Sequence, residues 1–287
     1  MKGKLRMNPI LKKDLKVTAR TLRFYLTIFI FEIILGIVFL MASSSFGYSY
    51  YSTNTERFEG FLYFFVIFGI VELVMVALIM PAITSSSISG EKEHQTFDIL
   101  MTTAISHWRI VIGKLFSAVF HVMLFVIGSL PFLSVSFVIG GLSWSVLFEF
   151  LFLAFVFSIY AGSIGIFASA VCKKSKAAII LSLFLYSMLM GMNYLPLFAV
   201  ALTDKDPFFS VLILLINPVM LFIEFFVKSL SGGDSLLTEL FNSTHPLYGF
   251  VEGAGWIVVS TIAILAMSFL FMWLSVRLIN PLKQSKK

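Results

Sequence analysis

Between two long apolar runs the chain carries ITSSSISGEKEHQTFDILMTTAISHWRIVIGK, Ile83 to Lys114, and here acidic, basic and aromatic side chains crowd together. Glu91, Glu93 and Asp98 supply acceptor charge, Phe97, Ile99, Leu100 and Met101 supply an apolar face, and Thr102 to Ser106 reads as a turn. Ser106 is placed to cap a helix beginning at His107. An aromatic anchor with a charged rim is the chemistry of protein docking rather than of bond breaking. Reactive motifs are missing by the same inspection. His94, His107, His121 and His245 form no HExxH, and Gly162-Ser163-Ile164-Gly165 lacks the GxSG spacing of an intramembrane serine protease. Gly113-Lys114 is followed by Leu115 and Gly3-Lys4 by Leu5, so no GxxxxGK[ST] exists to cradle a nucleotide. Cys172 is the single cysteine, which excludes an internal disulfide and a CxxC metal site. No metal or other cofactor is expected on this chain.

Two acids fall well inside apolar runs. Glu32 and Glu72 are candidates for a polar path or for hydrogen bonds between spans, because a carboxyl group in hydrocarbon is costly and is retained for a reason. Glu149, Glu224 and Glu252 lie nearer the ends of such runs, where anchoring at the interface is the expectation.

The elements that position these groups are set by composition. Of 287 residues 59% are hydrophobic and only 13% charged, with a mean hydropathy of +0.98. A soluble domain runs near about 45–50% apolar, so the bilayer is the expected solvent and the fold class is an all-α integral membrane protein. Six spans are predicted at 24–42, 61–83, 108–139, 145–171, 177–202 and 252–276, each near or above the ~20 residues that cross a bilayer. Pro131 should kink the long third span. The stretch 42–55 reads as a loop. Before the first span, Leu11, Leu15, Thr18 and Leu22 fall on one helical face while Lys12, Lys13, Lys16, Arg20 and Arg23 fill the rest, which predicts an amphipathic interfacial helix over 8–23 touching membrane lipids. Residues 84–107 then form a segment between spans 2 and 3. No cleaved signal peptide is expected, because no short apolar core and small-residue site follow the basic start.

A seventh candidate, 208–227, holds Asn217-Pro218 at its middle. With six spans, only Arg57, Lys205 and Lys228 of the 21 basic residues lie outside; a seventh would bring Lys228 in and send Arg277, Lys283, Lys286 and Lys287 out. The positive-inside bias favours six, with both termini cytoplasmic. The segment 208–227 is then a pair of re-entrant half-helices, with Asn217, Pro218 and Glu224 as a candidate outer gate. A proline-kinked span is the alternative. The net charge of +6 sits at span ends and does not imply nucleic acid.

The segment EKEHQTFDILMTTAISHWRIVIGK is similar to the cytoplasmic coupling segment of type-2 ABC exporter permeases, and NPILKKDLK at Asn8 to Lys16 resembles that family's interfacial elbow helix. Ala104 stands where the family often has proline. The resemblance implies that Glu91, Glu93, Thr96, Phe97, Asp98 and Leu100 face an ABC ATPase subunit on a partner chain that holds ATP and Mg. It also implies a second copy of the permease or a paralogue, location in a bacterial cell membrane, and export of a hydrophobic or amphipathic cargo such as a peptide, a lipid-like molecule or a drug. An ATPase-linked scaffold or mechanical transmitter for envelope assembly, without cargo, is the competing expectation, and a self-sufficient channel or carrier a third.

Overall fold

A computed structural model describes residues 21–47, 54–97, 101–102, 105–140, 142–198, 208–231, 235–237, 248–252 and 255–279. The described residues are helical, with short turns between. In chain order the helices are α1 (Leu22–Gly47), α2 (Asn54–Glu93), α3 (His107–Gly128), α4 (Leu130–Gly140), α5 (Trp144–Val171), α6 (Ser175–Met192), α7 (Phe208–Leu214), α8 (Pro218–Ser231), α9 (Tyr248–Glu252) and α10 (Gly255–Ile279). Six of them, some with a short extension, are long and apolar enough to cross a membrane, as the hydrophobic runs required. The expected interfacial helix over 8–23 lies almost wholly outside the described residues.

The centre of the bundle is α5. Phe150, Ala154, Tyr160, Ala161, Ile164, Ile166 and Ala168 are fully enclosed, and α2, α3, α6 and α10 pack around them. Small residues allow the closest approach: any side chain at Gly165 would collide with Thr84 and with the carbonyl of Pro81, so glycine there lets α2 and α5 touch backbone to backbone. Phenylalanines fill the other end of the interface, where Phe65 meets Phe137, Phe150, Phe225 and Phe226 edge-on. The outer helices show the reverse pattern. α1 exposes Tyr25, Leu26, Phe29, Ile30, Ile33, Ile37 and Leu40, an apolar face that only lipid or another protein surface satisfies.

Three boundaries differ from the sequence expectation. Residues 42–47 and 54–55 are helical, so the expected loop at 42–55 shrinks. α2 does not end at residue 83 but runs unbroken through Pro81 to Glu93, so the first ten residues of the polar 84–107 segment continue span 2. The third span is interrupted at the single residue Ser129, two positions before Pro131, yet His107–Val135 still reads as one span; proline sits in the first turn of α4, where its missing N–H costs nothing.

Candidate functional site

The polar end of α2 is the part of the molecule where charge meets several helices at once. Lys114, on the buried face of α3, donates from Nζ to Glu91 Oε1 at 2.7 Å and to the Ser87 carbonyl at 2.8 Å. A lysine with 8% of its side chain exposed needs such partners, because an unpaired buried ammonium is prohibitive. The next residue turns to another helix: Lys92 Nζ donates to the carbonyls of Ser169, Ala170 and Cys172, the unsatisfied C-terminal acceptors of α5. Glu93 turns to a third, and its Oε2 accepts the backbone N–H of Ser175 at 3.0 Å in the first turn of α6. Lys174, the residue before α6, makes no side-chain cap, so the carboxylate from α2 takes that role. A cation thus sits on a helix C-terminus and an anion on a helix N-terminus, each the sign that the helix dipole favours. Glu91, Lys92 and Glu93 form a clasp on α3, α5 and α6.

Just before the clasp a side chain from α5 reaches the backbone of α2. Ser169 Oγ of α5 accepts the N–H groups of both Ile88 and Ser89 at 2.9 and 2.8 Å. Thr84, Ser87 and Ser89 hydroxyls meanwhile bond back to the Met80, Thr84 and Ser85 carbonyls. Such back-bonding loosens a helix and marks a place where it bends.

Just after the clasp α2 stops without glycine. Gln95 has φ 58°, the left-handed region, and the Thr96 N–H reaches the Glu91 carbonyl at 2.9 Å while that of Gln95 reaches Lys92 at 3.3 Å, a Schellman closure. The reversal carries Phe97 back against the core, with the Lys92 ammonium 5.7 Å from its ring centre. Thr96 remains exposed. Asp98 and Leu100 lie outside the described residues. Ser106 occupies the N-cap position of α3 with extended φ and ψ and its carbonyl accepts from Arg109 and Ile110, but its hydroxyl makes no capping bond, so the expected cap is a backbone one.

A family model described as ABC-2 family transporter protein matches residues 8–277, nearly the whole chain. The chain belongs to the ABC-2 transporter family. No curated protein matches it. It is therefore a multi-pass membrane protein of the ABC-2 permease family, whose membrane subunits are generally non-catalytic and work with a separate ABC ATPase subunit.

In this ABC-2 protein the expected gate residues are found at a sharp break. α7 and α8 meet at 97° across Leu215 to Asn217. Asn217 is the N-cap of α8 and Pro218 its first residue: Asn217 Oδ1 accepts the Val219 N–H at 2.9 Å, and its Nδ2 donates to the Met190 carbonyl at the end of α6 at 2.9 Å. Ser260 of α10 donates to the Leu215 carbonyl at 2.7 Å. The bonds to Val219 and Leu215 serve backbone groups orphaned by the break, as low-dielectric surroundings demand, and the bond to Met190 ties the break to α6. Glu224, expected near an interface, is fully buried; it accepts from Ser235 Oγ at 2.7 Å and from the Leu237 N–H at 2.9 Å, while Lys228 donates to the Val251 carbonyl. Asn217 and Glu224 thus tie α8 to α6 and to residues 235–237.

Glu32 and Glu72, expected as interior polar groups, face the break between α3 and α4. Glu72 is fully buried and its Oε2 is 2.9 Å from Ser129 Oγ. The Glu32 carboxyl lies against Gly128, where any side chain would strike Oε1. The clasp partners Ser169 and Ser175 were not apparent in the sequence, since nothing local marks a serine about eighty residues away as an acceptor or a donor. Lys114, a lone charge deep in an apolar run, was the signal that an acid must lie opposite.

Proposed function

We propose that this chain is the membrane-spanning permease subunit of an ATP-driven ABC exporter. A separate ABC ATPase subunit, carrying ATP and Mg, docks on the segment around Glu91 to Leu100. Its closing moves the clasp, and cargo passes outward along a path completed by a second permease copy or a paralogue. Both termini lie in the cytoplasm of a cell membrane, 208–227 dips in from the opposite face, and Asn217, Pro218 and Glu224 stand at the outer gate. The phenylalanine- and methionine-rich interior suits a hydrophobic or amphipathic cargo.

The observation that carries this reading is the clasp: three consecutive residues on the docking segment hold three different helices, so displacement of the segment is displacement of the bundle. The inward bonds of Glu91 and Glu93 leave the exposed Thr96 to meet the partner, with Phe97 behind it, and Asp98 is proposed as a partner contact from its sequence position alone.

The test is a pull-down from membranes with tagged full-length chain, scored by ATP hydrolysis in the eluate. Thr96→Arg with Asp98→Lys should abolish co-purifying ATPase while leaving the chain inserted, and undiminished ATPase would sink the assignment. In vesicles reconstituted with the ATPase, ATP-dependent movement of an amphipathic peptide or lipid analogue supports export, whereas ATP turnover that moves no cargo favours a mechanical transmitter.

A further inference from the structure

The contact between Glu72 and Ser129 places a single hydroxyl hydrogen between two acceptor oxygens. Ser129 Oγ is 2.9 Å from Glu72 Oε2 and 2.8 Å from the Val126 carbonyl. A hydroxyl carries one hydrogen, and a carbonyl only accepts. If that hydrogen goes to Val126, the contact with Glu72 requires a hydrogen from the carboxyl group; were Glu72 ionised, one of the two contacts would set lone pair against lone pair. The surroundings agree, since Glu72 is fully buried in the middle of a span and its Oε1 has no hydrogen-bond partner. An ion there would have only the single Ser129 hydrogen, contested by the Val126 carbonyl, to stabilise it.

We propose that Glu72, with Ser129 and Glu32, is an intramembrane binding site for one exchangeable proton. The closed arrangement is a relay of donors: Glu72 O–H to Ser129 Oγ, and Ser129 O–H to the Val126 carbonyl. Glu32 is the second carboxyl of the site. Its Oε1 is buried without a partner, its carboxyl rests on Gly128 next to Ser129, and its charge opposes a second one on Glu72.

Of the other ionisable groups on the helices around α2, Tyr160 of α5 is fully buried with its hydroxyl unpartnered, and no hydrogen bond joins it to the pair. His121 of α3 sits two turns from Ser129, with Nδ1 2.5 Å from the Ser117 carbonyl and its ring edge-on to Phe24. Glu149 of α5 is exposed, Tyr186 of α6 packs on Phe157, and Glu224 of α8 holds Ser235 and Leu237; α4 carries no ionisable side chain. Glu32 alone lies on α1, the least enclosed span. When α1 moves off the α3–α4 break, water reaches the pair and Glu72 gives its proton to water; when α1 returns, a proton is taken back from water. Exchange of the proton thereby reports opening of the bundle, and goes beyond the coupling role proposed above.

Infrared difference spectroscopy on the full chain in lipid nanodiscs tests this without the ATPase, so its failure and that of the exporter reading are separable. At pH 7 the wild-type chain should show a protonated-carboxyl C=O band that shifts in D2O and vanishes in Glu72→Gln. The glutamine should fold, because its amide N–H can donate to Ser129 Oγ in place of the acid O–H. Ser129→Ala, which leaves Glu72 in place, should keep the band but shift its frequency through loss of the acceptor. Absence of a protonated band at pH 7, its survival in Glu72→Gln, or an unmoved band in Ser129→Ala would each overturn the proposal.

Discussion

Lys114 shows how one side chain can make a buried position obligatory. Its ammonium bonds Glu91 and the Ser87 carbonyl from the interior of α3. Lys114→Met fits the apolar channel of the stem but leaves the Glu91 carboxylate, whose Oε2 already lacks a partner, with no countercharge. The loss should be about 2–3 kcal/mol, seen as a lower thermal midpoint in detergent, and Lys114→Met with Glu91→Met should recover most of it. A double variant no more stable than Lys114→Met alone would show that the pair does not carry the effect. At this scale the sequence was legible where chemistry forced a pairing and opaque where it did not. The acidic and basic residues of the docking segment stood out by type, but Glu91 and Glu93 were read as outward-facing, and their bonds to Lys114 and Ser175 arise only when remote helices arrive. Gln95 gave no stop signal either, because a left-handed residue that is not glycine bears a strain of about 1 kcal/mol that local pattern does not advertise.

Among the elements, the break between α7 and α8 rests on a single asparagine doing two jobs. Asn217→Asp keeps an oxygen to cap α8 but loses the donor to Met190, whereas Asn217→Ala loses both. The alanine should cost about 1–2 kcal/mol and the aspartate less at a pH where its oxygen still accepts; thermal melts of the two in detergent check the order, and equal losses would mean that the cap contributes nothing. The Asn-Pro pair was visible in the sequence as a breaker, and a broken pair of helices is what the structure contains. The interruption at Ser129 falls in the turn before Pro131, where the proline's missing N–H is felt, and the two helices on either side still make one span. The length of α2 was missed for a related reason. The expected span ends at Ile83 because the serine-rich stretch beyond it is polar, yet those hydroxyls bond back to the preceding turn and the same helix continues.

For the whole molecule, the number and order of the spans followed from hydrophobic runs alone, because nothing but a helix satisfies its own backbone across ~30 Å of hydrocarbon. Orientation is an expectation from counting charges, and the single cysteine offers a check. Cys172 caps the C-terminus of α5 beside Lys173 and Lys174, partly exposed, at the end of the bundle that carries the clasp. A membrane-impermeant maleimide should label it in inside-out vesicles and spare it in right-side-out ones; the opposite result would invert the topology and remove the docking segment from the reach of any cytoplasmic ATPase. What hydropathy could not reveal was the layering, with α5 enclosed and α1 at the rim, since both runs are equally apolar and differ only in which neighbours surround them.

The spacing of the clasp has a mechanical corollary. Residues 91 to 93 rise by only about 3 Å along their helix, yet they grip three separate bodies, so a tug arriving through residues 94–97 reaches all three at the same instant and none can lag. Slack must then be taken up further along, where Ser169 Oγ takes up the Ile88 and Ser89 N–H groups and the neighbouring hydroxyls bond back to the preceding turn, and the stroke of such a machine would pivot at that joint instead of dissipating in the lever itself.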